Sequence, residues 1–254
     1  MPFLANKFPR FHDFAEASLN TIYTGQRLAT ARRFTATTLE STVLINDGQG
    51  GFIFKPLPRI AQVSPGFGVV ITEVNGDHHA DLYIVQNFFS PQPEIGRFDG
   101  GLSLLLHGQG DGEFEPIWPD QSGLIAPGDA KSLTVTDLNG DGWPDFVVGN
   151  NNGPLQTFVH QGDSHNRLLQ IRLQGPNGNP TAIGSRVTVQ IQGGVPQTAE
   201  IYAGSGYLSQ SSNALYFGVG RSARSGKISV RWPNGFITTQ MVTTNEQSIT
   251  IKYP

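Results

Sequence analysis

Cysteine is absent from the 254 residues, which excludes disulfides, thiolate metal sites and a thiol nucleophile. Charge is sparse: 15% of positions are Asp, Glu, Lys or Arg, the net charge is -3 and the pI about 6.0. No basic face is on offer to a phosphate backbone, so nucleic acid is not an expected partner. There is no run of 18 apolar residues, and a membrane-spanning helix is not expected. The opening residues, "MPFLANKFPRFHDFAEASLN", contain no apolar stretch of signal-peptide length, so an export signal is not read in this chain. A protein without disulfides that works outside the cell needs another staple, and bound calcium can serve.

Glycine (31), proline (17) and phenylalanine (16) are abundant and punctuate short apolar runs. That texture predicts an all-β chain long enough for one large or two small domains. Residues 1–40 differ. Between Phe11 and Glu40 glycine occurs once, proline is missing, and Phe11, Phe14, Ala15 and Leu19 fall at helical spacing. The pattern predicts two helices, roughly 11–21 and 26–37, in a helical N-terminal segment or insertion.

From 41 to 161 the chain repeats itself. "VLINDGQGGFIF" (Val43 to Phe54) echoes "LLLHGQGDGEFE" (Leu104 to Glu115), and each reads as a hairpin with a Gly-rich turn. "VVITEVNGDHHADLYIVQN" (Val69 to Asn87) echoes "SLTVTDLNGDGWPDFVVGN" (Ser132 to Asn150). Glu73 and Asp137 take the same place, 64 residues apart. Short strands repeating at this period are the signature of propeller blades. From 166 to 254 no repeat is visible. Seven short strands, "LLQIRL" to "QSITIKY", predict a compact β-sandwich beyond the polar linker "HQGDSHNR".

The chemistry-bearing feature is Asp137-Leu-Asn139-Gly-Asp141-Gly-Trp143-Pro-Asp145, with oxygens at positions 1, 3, 5 and 9. Alternate side chains of a tight loop face one point, where a hard cation takes six to eight oxygens at about 2.3–2.6 Å. Gly142 permits a bend with φ > 0, and the Trp143 carbonyl, at position 7, is the natural backbone ligand. Acids this close repel one another unless a cation neutralises them, and an all-oxygen donor set favours calcium over zinc or copper. An EF-hand is disfavoured, because its twelfth position needs a bidentate Glu where this chain has Val148. The earlier loop offers Glu73, Asn75, Asp77 and Asp81, but Glu replaces Asp at position 1 and His78 replaces the glycine, so a weaker site is expected. His78 and His79 raise a transition-metal alternative, and the acids a glycosidase-like one. Glycosidases need two carboxyls across a cleft, one of raised pKa, rather than four oxygens on one point twice over. No nucleophile or phosphate motif has supporting context, and no catalytic residue is assigned.

The two loops resemble the calcium-binding FG-GAP or VCBS repeat, which builds integrin-type β-propeller blades. "IGSRVTVQ", "GSGYLSQS", "FGVG" and "VRWPNG" resemble the ASPIC/UnbV domain of the cartilage acidic protein family. The resemblance covers about residues 41–252. It implies incomplete propeller blades followed by a small β-sandwich, and a calcium-stabilised extracellular adhesion or ligand-binding module with a protein or glycan ligand. The alternative is a carbohydrate-active protein, lectin-like or a glycoside hydrolase, with Phe88, Phe89 and Phe98 as stacking surfaces. Trp232 and Tyr207 are expected in the core or at a buried corner. The strands amount to half a blade (43–54), one whole blade (67–117) and most of another (131–160). Since a propeller closes with at least four, missing blades are expected from a longer chain or from self-association.

Overall fold

The computed structural model describes residues 2–163, 165–221, 225–243 and 246–254. The chain divides into two compact units, Met1–Leu39 and Glu40–Pro254.

The first unit holds four short helices rather than two: α1 (Pro2–Lys7), α2 (Phe11–Ala15), α3 (Leu19–Ile22) and α4 (Gly25–Thr30). Capping explains the breaks. The Ser18 hydroxyl accepts from Thr21 N and the Thr24 hydroxyl from Arg27 N, so each starts a new helix in extended backbone at the cap. After Thr30 the Thr-rich run to Leu39 forms no helix, in keeping with the low helix propensity of β-branched residues. None of these helices buries a residue.

Among the described residues the second unit is all-β apart from a short turn of helix, α5 (Pro119–Ser122), and a 3-10 turn at Arg59–Gln62. β1 (Thr42–Asn46) and β2 (Phe52–Pro56) form a two-stranded hairpin. β3 (Gly66–Thr72), β4 (Asp81–Gln86), β5 (Leu104–Gly108) and β6 (Phe114–Ile117) form a four-stranded sheet in chain order. β7 (Ala130–Thr136), β8 (Asp145–Asn150) and β9 (Gln156–Phe158) form a three-stranded one. These are the half, whole and partial blades read from the sequence. The repeat is structural down to its irregularities. Thr72 pairs with Asp81 as Thr136 pairs with Asp145, and both first strands shift register near their start, at Gly66/Val69 and Ala130/Ser132.

The blades pack face to face. Val70, Tyr83, Val85 and Leu105 meet Leu133, Val135, Phe146 and Val148 in one buried cluster, with the Tyr83 and Phe146 rings 4.8 Å apart. A charged clamp closes one end of this contact. Lys131 pairs with buried Asp129 at 2.6 Å while its ammonium lies 3.5 Å over the Phe67 ring and 4.9 Å over Phe88, a desolvated cation–π arrangement.

The sandwich contains all seven expected strands. β12 (Gln197–Glu200), β11 (Arg186–Ile191), β14 (Ser225–Arg231) and β15 (Ile237–Thr243) lie side by side in one sheet. β13 (Leu215–Gly218), β10 (Leu168–Gln174) and β16 (Ser248–Lys252) make the other, with β10 and β16 parallel. Leu169, Ile171, Val187, Val189, Phe217, Ile228, Val230 and Trp232 fill the space between. Trp232 is core, as expected, and its indole N–H donates to Thr238 Oγ1 at 2.8 Å. Tyr207 is not a buried corner: it is half exposed and its ring packs 5.5 Å from Phe67.

The sandwich is not a bead on a string. Ala214 and Tyr216 enter the cluster between the blades. The serines of "GSGYLSQS" and the Ser212 that follows line the open edge of β7: Ser209 Oγ donates to Leu133 O, Val135 N to Ser211 Oγ, and Ser212 N to Val135 O. An edge strand left bare is a liability for pairing with other chains; here the second domain covers it.

Candidate metal centre

The two oxygen loops join β3 to β4 and β7 to β8, and they fold alike. At position 9, Asp81 and Asp145 are buried at 1% and 0% exposure. Asp145 Oδ2 accepts from Leu138 N at 2.7 Å and Oδ1 from His160 N at 2.8 Å. Asp81 does the same with Val74 N (2.9 Å) and Gly108 N (3.0 Å). Each straps its loop to the next strand. At positions 3 and 5, Asn75 Nδ2 donates to Asp77 Oδ2 and Asn139 Nδ2 to Asp141 Oδ2. At position 1, Asp137 accepts from the backbone of Gly140, Asp141 and Gly142. Glu73 folds its longer arm back onto Asn75, Gly76 and His78. The bends need φ > 0, and His78 adopts φ 79° where Gly142 has 83°. A histidine in that region is strained relative to glycine. Trp143, at position 7, stacks its ring on His160 at 4.6 Å and 7°.

Electrostatically the first loop is the more loaded. Burial, and then the nearby charges of Asp81 and Asp77, push the Glu73 carboxyl up to about 8. Burial pushes Asp81 up to about 7 against the pull of the Val74 and Gly108 N–H groups, with Asp77 adding to the rise. Burial also holds the imidazoles of His78, His107 and His160 below their usual value, so they offer little countercharge at neutral pH. None of the ion pairs identified among the described residues involves a loop acid.

Every expected ligand residue therefore lies in one of two matching loops. Their acids, however, are turned onto internal N–H donors. Among the described residues, no group of three or more His, Asp or Glu side chains is placed to hold a metal. His78 faces the sandwich instead, where Gln197 Nε2 lies 3.3 Å from its Nδ1, and His79 joins no metal-ligating group.

Sequence reasoning missed the sandwich's part in these loops. Gln170 Nε2 donates to Asp137 Oδ2 at 2.8 Å. Gly220 N donates to Gly76 O and Asn166 Nδ2 to Asn75 O. Gly218 on β13 leaves room for the Glu73 carboxylate, which any Cβ there would strike. The one hint in the sequence is the glutamine inside "LLQIRL", a polar residue in an otherwise apolar strand.

With loops, blades and sandwich in view, comparison with known proteins defines the class. Residues 95–148 match the family model described as FG-GAP-like repeat, a stretch that includes the second loop, and residues 175–254 match that described as ASPIC and UnbV. The chain thus carries a stretch similar to the FG-GAP-like repeat and, C-terminal to it, one similar to the ASPIC and UnbV domain. It is similar to cartilage acidic protein 1 of Mus musculus, 25% identical over 203 residues, covering 78% of this chain and 30% of that protein. The Homo sapiens protein of that name is 24% identical over 202 residues, again 78% and 30%. Integrin alpha-7 of Rattus norvegicus is 31% identical over 107 residues, 39% of this chain and 9% of that protein. The chain spans 30% or less of the length of these relatives.

Proposed function

We propose that this chain is a calcium-stabilised, non-enzymatic adhesion or ligand-binding module that works outside the cell or at its surface. The observation that carries the reading is the duplicated loop, which buries acids without a cationic side chain among the described residues in an ion pair with them. Buried unpaired carboxylates are costly. The donors are all oxygen, which fits a hard cation and not a thiophilic one. Asp137, Asn139, Asp141, the Trp143 carbonyl and Asp145 would hold calcium in the second loop, and Glu73, Asn75, Asp77 and Asp81 more weakly in the first. Calcium would neutralise the acids and tie the two strands at each loop together. The reading takes 1–40 as a helical N-terminal segment or insertion, 41–161 as propeller repeats and 166–254 as the ASPIC/UnbV domain.

The ligand is a protein or a glycan. Val69 and Ile71 on β3 are 40% and 69% exposed, and Leu44 and Phe54 on the hairpin 52% and 61%. Apolar faces of that kind suit further propeller blades, from a longer chain or from self-association. The sugar-groove alternative would rest on Phe98 more than on Phe88 and Phe89, whose faces are partly taken. Phe88 meets the Phe67 ring edge-on and lies under Lys131, Phe89 lies under Arg97, and Phe98 is 42% exposed.

Calorimetric titration of chelator-treated protein tests the reading. A ligand that binds only the folded state adds RT ln(1 + [L]/Kd), about 2.7 kcal/mol at a hundred times Kd. Neither heat nor a rise in melting temperature on adding calcium would sink it.

A further inference from the structure

Gln170 sits mid-strand in β10 between Leu169 and Ile171, which face the sandwich core. Its own side chain points the other way, toward the blades, and is only 1% exposed. An amide buried at such a place is costly unless its hydrogen bonds are met. They are met in one orientation. Arg172 Nε, which can only donate, reaches Gln170 Oε1 at 3.1 Å, and Ser248 Oγ donates to the same oxygen at 2.9 Å. The amide nitrogen is thereby forced toward Asp137, whose carboxylate can only accept. The sandwich also backs this loop with main chain: a Cβ at Gly142 would lie 3.3 Å from the Gln247 carbonyl oxygen.

A second observation points to the same spot. Tyr216 on β13 is 5% exposed, and its hydroxyl is buried without a hydrogen-bond partner. It stands directly opposite Gln170 in the β10–β13 register, so both side chains leave the sandwich on the same face, and among the described residues none completes a hydrogen bond to the hydroxyl by geometry. Unmet buried hydroxyls are rare, and each asks for an explanation.

We propose that the second loop is a composite cation site completed by the sandwich domain. Gln170 is the positioning residue that fixes Asp137, and the Tyr216 hydroxyl is held open for an oxygen that arrives with the hydrated ion. The proposal rests on the calcium reading above and goes beyond it. It makes occupancy of a propeller loop and seating of the ASPIC/UnbV domain one coupled event. Outer partners that orient a metal ligand typically change affinity by about 10–100-fold when removed.

The test uses the full chain in three forms: wild type, Gln170→Leu and Tyr216→Phe. Calcium affinity is measured by calorimetry, and hydrogen exchange of the β10 amides is followed with and without calcium. Wild type should bind calcium and gain protection in β10. Gln170→Leu should bind about tenfold or more weakly and lose the calcium-dependent protection. Tyr216→Phe keeps the packing and removes only the oxygen, so it should melt no lower than wild type in chelator yet bind calcium more weakly. Wild-type binding with unchanged affinity in both variants, or binding that leaves β10 exchange unmoved, overturns the composite site alone. No binding by wild type overturns the calcium reading and this proposal together.

Discussion

Asp145→Ala removes the strap of the second loop, and its cost can be worked from the contacts. The side chain is fully buried and accepts two short bonds, from Leu138 N and His160 N. Deleting it strands two N–H groups, at about 1–3 kcal/mol each. Part of this is offset, because the variant no longer buries a carboxylate. A net loss of about 3 kcal/mol follows. That is large against a total of about 5–15 kcal/mol and corresponds to a fall in melting temperature on the order of 10 °C for a unit of this size. Asp145→Asn keeps one acceptor and sets an NH2 against the other N–H, so it should cost roughly half as much. The assay is thermal melting in chelator, with hydrogen exchange at Leu138 and His160 as the local readout. Both amides should exchange faster in Asp145→Ala, and the one facing the new NH2 in Asp145→Asn. A loss under about 1 kcal/mol with both amides as protected as in wild type would refute the strap.

Other expectations follow from the same geometry. Asp77 and Asp141 accept equivalent bonds from Asn75 and His79 or from Asn139 and Trp143, so Asp77→Ala and Asp141→Ala should cost the same in chelator. Only with calcium should Asp141→Ala lose more, and melting curves with equal costs in both buffers contradict the ranking of the two sites. His78→Gly relieves the bend and should tighten calcium at the first loop, but it also gives up the imidazole's place beside Gln197, so melting in chelator should fall; a weakened calcium titration would mean that the histidine serves the site. At Gly218 a Cβ would strike Glu73 and lie 2.5 Å from His78 N, so Gly218→Ala should destabilise by about 1–3 kcal/mol, and a denaturation midpoint equal to wild type would contradict that docking. Burial pushes Asp129 up, but Lys131, Asn151 and the Phe89 N–H outweigh it and hold the carboxyl below its usual value. A depressed carboxyl contributes stability above its unfolded pKa of about 4 and loses it as pH falls through the folded value. Asp129→Asn should therefore flatten the acid limb of the melting curve below about pH 4, and an unchanged limb rejects the clamp.

Local spacing made much of this protein legible. The oxygens at positions 1, 3, 5 and 9 predicted both loops, and the glycine at position 6 predicted the positive φ that Gly142 and His78 share. Alternation and Gly-rich turns predicted the half, whole and partial blades and the seven strands of the sandwich, because strand period and turn chemistry are properties of neighbouring residues. The same local logic misread the N-terminal segment, where apolar spacing suggested two helices, roughly 11–21 and 26–37, and the hydroxyls of Ser18 and Thr24 cap shorter ones. What only the tertiary structure decided is where the sandwich sits. Gln170 meets Asp137 across 33 residues and Gly220 meets Gly76 across 144. No periodicity encodes such pairings. They arise when the outer face of one sheet settles on the loop end of two others, and burial there forces each polar group to find a partner at whatever sequence distance the packing brings it.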